Sequence, residues 1–182
     1  MSSQVPPDMA AKPSRAGQLR WVLTTFLAVL ALDQATKAAV VSLLEPRMPA
    51  RFDIFFHLTH QHNYGIVGGL FSEVPFVAFI APTAATLVLI YLYRHLDPAV
   101  RLQALAFGMI LGGAIGNITD RVRHGYVTDF LQFYFSFLPE WVPWRYYPAF
   151  NVADSCIVVG VTVLVITWNA PAAKAANAPH PV

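Results

Sequence analysis

Charge is what this chain has least of. Only 12% of its 182 residues are Asp, Glu, Lys or Arg, about half the share found in soluble domains, while 56% are hydrophobic. The net charge is +2, and no basic stripe gathers along any segment, which argues against a nucleic-acid partner. There is no glycine-rich phosphate loop and no internal repeat. The single cysteine, Cys156, rules out an intramolecular disulfide and reads as a small buried side chain. With a mean hydropathy of +0.50, so short a chain points to one compact membrane domain that crosses the bilayer several times.

Four apolar stretches supply the crossings, at about 21–44, 74–93, 102–118 and 149–168. Each approaches the roughly 20 residues that a helix needs to span a hydrocarbon core. The first carries Asp33 and Lys37 and is followed by no small-residue cleavage site, so it is expected to stay as an anchor. Residues 1–19 and 170–182 are expected to be tails around a domain at 20–169. Four spans put both termini on one side. Lys12, Arg15, Arg20, Arg94, Arg101 and Lys174 lie on that side, and Lys37, Arg47, Arg51, Arg121, Arg123 and Arg145 on the other. The counts tie, but the second set is spread over much longer connections, which favours cytoplasmic termini. Those connections, about 45–73 and 119–148, are expected to form an extracytoplasmic cap. The run from Arg51 to His60 partly alternates and suits short strands. The run from Tyr134 to Tyr147, rich in aromatics and proline, suits the membrane–water interface.

Several polar side chains do not belong in lipid, where a charge at mid-span costs roughly 2.5–3.5 kcal/mol. Asp33 and Lys37 stand at i and i+4 and can pair on one helix face. Asp33 lies about 20 Å along the helix from Arg20, in the outer half if the N-terminus is inside. Asn117, Asp120 and Arg121 share a face just after Gly112, Gly113 and Gly116, small residues that permit close helix approach. Asn151 and Asp154 lie one turn apart, with Asp154 about 8 Å below the outer end of the fourth span. Of these, Asp33, Asn117, Arg121, Asn151 and Asp154, together with Asp129, converge on the outer leaflet. For any one of them a structural role is the simpler reading; for the whole set at one depth, function is. Two carboxylates from different segments suit peptide hydrolysis without a metal or a nucleophilic side chain. One accepts a proton from water, the other donates to the scissile carbonyl, and mutual repulsion keeps a proton on the pair.

Four blocks in this order resemble the bacterial lipoprotein signal peptidase family, also called signal peptidase II. They are Asp33-Gln-Ala-Thr-Lys37, Asn63-Tyr-Gly65, the run from Gly112 through Asn117, Asp120 and Arg121 to Asp129-Phe130, and Phe150-Asn151-Val-Ala-Asp154. The resemblance implies an all-α fold of four transmembrane helices with a small extracytoplasmic β-like cradle. It implies an aspartic endopeptidase of the bacterial inner membrane, without cofactor or metal, that removes signal peptides from diacylglyceryl-modified prolipoproteins just before the lipidated cysteine. It places the catalytic pair at Asp129 and Asp154. Supporting or substrate-binding roles fall to Asp33, Lys37, Asn63, Gly65, Asn117, Arg121 and Asn151. It further implies inhibition by globomycin-type peptides; contact with membrane lipids and a monomeric state are expected beside it. The chain departs from the family after Gly65, where Ile66-Val67-Gly68-Gly69 replaces the usual pair of alanines and an aromatic residue.

Other readings stay open on the residues alone. A proton-coupled transporter would also carry acidic residues in its spans, although here no polar path continues to the cytoplasmic side and no inverted repeat is evident. A non-catalytic binding protein on the same scaffold would not need both aspartates. A metal site at His57, His60 and His62 would have two rings on one strand face, yet no Cys and only Asp53 nearby to complete a ligand set.

Overall fold

The computed structural model describes residues 14–44, 50–51, 55–65 and 73–168. Both expected tails beyond those limits, Asp53 and the atypical 66–69 loop lie outside the described residues. Helix α1 (Arg15–Leu43) starts six residues before the apolar run, because the Ser14 hydroxyl accepts the Gly17 N–H at 3.0 Å and caps the helix. Its faces are inverted relative to a soluble helix. Asp33 and Lys37 are 0% and 4% exposed, whereas Leu27 and Leu32 are 60% and 54% exposed. Such a helix turns apolar side chains toward lipid and gathers polar ones inward.

Helix α2 (Pro75–Leu92) begins with proline at its first turn and continues into a 3₁₀ turn at Tyr93–His95. Helix α3 (Arg101–His124) lies at the centre, between α1 and α4 (Val152–Thr167). It runs past the expected end at 118 because Asn117 and Asp120 find partners inside the bundle. It stops where Gly125, at φ 80°, adopts the left-handed cap and donates its N–H to the Arg121 carbonyl at 3.0 Å.

Glycine makes the close packing possible. A Cβ on Gly113 would sit 2.5 Å from the Ala153 carbonyl of α4, and one on Gly116 would sit 2.5 Å from Asp33 Oδ2 of α1. Gly116→Ala is therefore expected to push α1 away and displace the Asp33 carboxylate. We expect a loss of about 1–3 kcal/mol, read as a lower unfolding midpoint in detergent, together with reduced activity.

A three-stranded antiparallel sheet, β1 (Ala50–Arg51), β2 (Phe56–Asn63) and β3 (Val127–Phe133), sits at one end of the bundle in the order β1-β2-β3. The strand expected near Arg51–His60 thus appears as two strands, the longer reaching Asn63. Between the Leu58–Leu131 and Gln61–Asp129 pairs, β2 carries one residue more than β3, a bulge. The chain then returns to β3: Phe150 and Leu131 exchange N–H···O bonds of 2.8 and 2.9 Å immediately before α4 begins. That return explains why α4 starts at Val152 rather than at the expected 149. It also sets the first turn of α4 beside Asp129. In the intervening segment, Phe137 and Trp141 stand 71% and 82% exposed.

Among the described residues, α1, Phe76–His95 and α3 are long and apolar enough to cross a membrane; α4 is apolar but has only 16 residues. The chain is a mostly helical, multi-pass membrane protein.

Candidate functional site

The polar residues meet where α1, α3, β3 and the start of α4 come together. The deepest layer is ionic. Lys37 Nζ lies 2.9 Å from Asp33 Oδ2 and 2.9 Å from Asp120 Oδ2, with all three side chains 5% exposed or less. Such an arrangement survives burial only when further hydrogen bonds satisfy the remaining atoms. They do: Asp33 Oδ1 accepts the Ala153 N–H at 3.0 Å, and Asp120 Oδ2 accepts the Thr128 N–H at 3.2 Å. Gln34 donates to Asp120 Oδ1 at 3.0 Å. The ion cluster therefore fastens α1 and α3 to the start of α4 and to β3.

A layer of amides rests on it. Lys37 donates to Asn117 Oδ1 at 2.9 Å, which turns the Asn117 amide nitrogen outward to donate to Asp154 Oδ1 at 2.8 Å. Asn151 is fully buried. Its Nδ2 donates to Asp129 Oδ1 at 2.8 Å and to Asn117 Oδ1 at 3.2 Å. Asn151 also caps α4. Its Oδ1 accepts the Asp154 N–H at 2.9 Å, and its own N–H donates to Asp154 Oδ2 at 3.2 Å. From β2, Asn63 Nδ2 donates to Asp129 Oδ2 at 2.9 Å.

The carboxyl pair completes the set. Each of the four oxygens of Asp129 and Asp154 accepts a hydrogen bond from an Asn side chain or the Asn151 backbone. A carboxylate oxygen has a second acceptor site, so each keeps capacity for a water or a shared proton. Burial, followed by the nearby Asp154 charge, pushes the Asp129 carboxyl up to about 7, against the opposing amide hydrogen bonds and Lys37. Arg121 borders the pair. Its guanidinium donates to the Gly65 carbonyl at 2.7 Å and to the Asn117 carbonyl at 3.3 Å, while Nε is buried without a hydrogen-bond partner among the described residues. Asn63 Oδ1 accepts the Gly65 N–H at 3.0 Å, so Arg121 and Asn63 hold the same tight turn.

Every residue singled out in the sequence, Asp33, Lys37, Asn63, Gly65, Asn117, Arg121, Asp129, Asn151 and Asp154, belongs to this one connected set. Asp120 and Gln34 belong to it as well and were not among the chosen residues. The signal for Asp120 was present in its spacing from Asn117 and Arg121, and that for Gln34 only in its place beside Asp33. Cys156 is half-buried rather than buried.

The site and the fold have counterparts among known proteins. The family model described as signal peptidase (SPase) II matches residues 25–169. A lipoprotein signal peptidase of Pseudoalteromonas atlantica is 40% identical over 143 residues, covering 76% of this chain and 82% of that one. One from Shewanella woodyi is 37% identical over 153 residues, covering 81% and 82%. One from Moorella thermoacetica is 36% identical over 155 residues, covering 84% and 95%. A solved bacterial membrane enzyme superposes with a TM-score of 0.66 at 26% identity, covering 80% of this chain and 85% of that one.

Proposed function

The chain belongs to the signal peptidase II family, and from that premise we propose that Asp129 and Asp154 are the catalytic pair of an aspartic endopeptidase that cleaves lipidated prolipoproteins. The observation that carries the assignment is the joint hold of Asn151 on both carboxyl groups, which come from different elements, β3 and α4. One aspartate, ionised, takes a proton from the attacking water. The other, protonated, donates to the scissile carbonyl as the tetrahedral intermediate forms. The proton then passes to the leaving amine, and the pair returns to its singly protonated state. The amides of Asn63, Asn117 and Asn151 fix the carboxyl planes, and the ion cluster of Asp33, Lys37 and Asp120 fixes the amides. Arg121 and Gly65 shape the edge on which the substrate backbone rests.

The proposed substrate is a signal peptide whose apolar part lies in the bilayer and whose lipidated cysteine is anchored at the outer leaflet. The cut falls just before that cysteine. This requires the pair to sit near the outer interface, and the onset of α4 only two residues before Asp154 supports that depth. On this reading the peptidase domain covers 20–169, α4 is a fourth crossing, both terminal tails are cytoplasmic, and the enzyme works as a monomer in the bacterial inner membrane. Purified protein incubated with a diacylglyceryl-modified prolipoprotein is expected to release the signal peptide, to leave the unlipidated precursor uncut, and to be blocked by globomycin. Equal cleavage of both precursors would remove the lipid from the reading.

A pair that works with one proton has an activity window. Loss of that proton is expected to end activity on the alkaline side near pH 7, where Asp129 titrates. The hydrogen bond from Asn63 lowers the Asp129 value. Asn63→Ala is therefore expected to move the alkaline limb of kcat/KM to higher pH, as well as lowering the rate. An unmoved limb would mean that Asn63 does not act through Asp129.

A further inference from the structure

Across the β2–β3 ladder from Asp129, two imidazoles converge. His60 and His62 are two residues apart on β2 and share a face. The bulge between Leu58 and Gln61 lies just before His62 and includes the His60 step, the kind of irregularity that re-aims a side chain. Their Nε2 atoms stand 3.3 Å apart. The opposite nitrogen of His60, Nδ1, lies 3.0 Å from the Leu44 carbonyl at the end of α1. A carbonyl only accepts, so Nδ1 carries the hydrogen and the neutral ring presents its lone pair on Nε2. His62 is held in turn by stacking on Tyr126, with ring centroids 3.8 Å apart and planes 19° apart.

We infer that His60 and His62 form a two-imidazole site for a divalent transition metal, with Zn²⁺ the best match, separate from the aspartate pair. Three features point the same way. Two nitrogens bound to one zinc at 2.0–2.1 Å with a tetrahedral angle must lie about 3.3–3.4 Å apart, which is the separation found here. The carbonyl on His60 Nδ1 is the usual outer partner of a metal-bound histidine and selects the tautomer that a metal needs. Imidazole ligands favour Zn²⁺, Cu²⁺ or Ni²⁺ over Mg²⁺ or Ca²⁺. The metal replaces the hydrogen bond between the two Nε2 atoms, and His62 then carries its proton on Nδ1. Among the described residues no third His, Cys, Asp or Glu completes a cluster, so the remaining positions go to water or another oxygen donor. A bound ion would fix the two rings of β2 to each other one residue before Asn63, while the His60 contact to the Leu44 carbonyl ties that strand to the end of α1.

The test uses tag-free purified protein with one equivalent of Zn²⁺ and X-ray absorption at the zinc edge. The expected shell contains two imidazole nitrogens at about 2.0 Å; a shell of oxygens alone would overturn the site. Titration with Co²⁺ should give d–d bands in wild type and in His95→Gln, a histidine at the other end of the bundle. The same titration should weaken by at least about tenfold in His62→Ala. Equal binding by His62→Ala and wild type would also overturn it. If His62→Ala fails to fold, the absorption spectrum of the unmodified protein still decides.

Discussion

Asp129→Asn and Asp154→Asn are each expected to lower kcat by at least about 10³-fold while leaving a folded protein, because in the proposed mechanism each removes one of the two groups that move protons. The effect should fall on kcat far more than on KM, since neither carboxyl is asked to bind the distant lipid. Stability should move in the opposite sense. The native Asp129 carboxyl holds its proton up to about pH 7, against an ordinary value of 3.8. A carboxyl raised in this way lets the native state bind more protons than the unfolded one between those two values, so stability falls as pH climbs from about 4 to about 7. The loss reaches at most about 4 kcal/mol, discounted for the part of the carboxyl that water still reaches. Asn cannot ionise, so Asp129→Asn should flatten that slope and unfold at neutral pH no earlier than wild type. Thermal unfolding of both proteins at several pH values measures it. A variant that is inactive and also much less stable at pH 7 would be a folding defect, not a catalytic one.

Lys37→Met carries the second large effect, and it is structural. Lys37 stands between Asp33 and Asp120 with almost no exposure. Removing the cation leaves two buried carboxylates facing each other with no counter-charge, a change that costs about 3–5 kcal/mol in comparable sites. It also frees Asn117, whose amide is oriented by Lys37 on one side and donates to Asp154 on the other. The variant should unfold much earlier and cleave poorly. Charge explains the defect if Lys37→Met combined with Asp33→Asn, which restores the net charge of the cluster, recovers part of the stability. If the double variant is no better than the single one, the lysine acts through its packing and hydrogen bonds instead.

How far the sequence leads can be followed element by element. The Asp33–Lys37 pair is legible because i and i+4 on a helix fix a distance regardless of tertiary structure. The Asn151–Asp154 capping box is legible for the same reason. The position of Asp129 is not. It depends on Phe150 returning to pair with Leu131 and on Thr128 donating to Asp120 across the turn after α3, contacts that neither helix nor strand periodicity fixes. The motif order anticipated that meeting through its resemblance to a family, not through periodicity. Helix ends were missed where a polar residue changes role by its partner. Ser14 lengthens α1 as a cap, and Asn117 and Asp120 prolong α3 because their charges and dipoles are answered from α1. His60 and His62 were seen to share a strand face, but their Nε2 separation depends on the bulge and on the Leu44 carbonyl, neither of which composition announces.

The proposal that Asp129 and Asp154 share one proton is tested most directly by ¹³C NMR of the carboxyl carbons in aspartate-labelled protein, with Asp129→Asn assigning the resonance. The Asp129 carbon is expected to titrate near pH 7 in the unmodified enzyme and at a lower pH in Asp154→Asn, where the neighbouring charge is gone. An Asp129 carbon that titrates near pH 4, or one that does not respond to loss of Asp154, would contradict it.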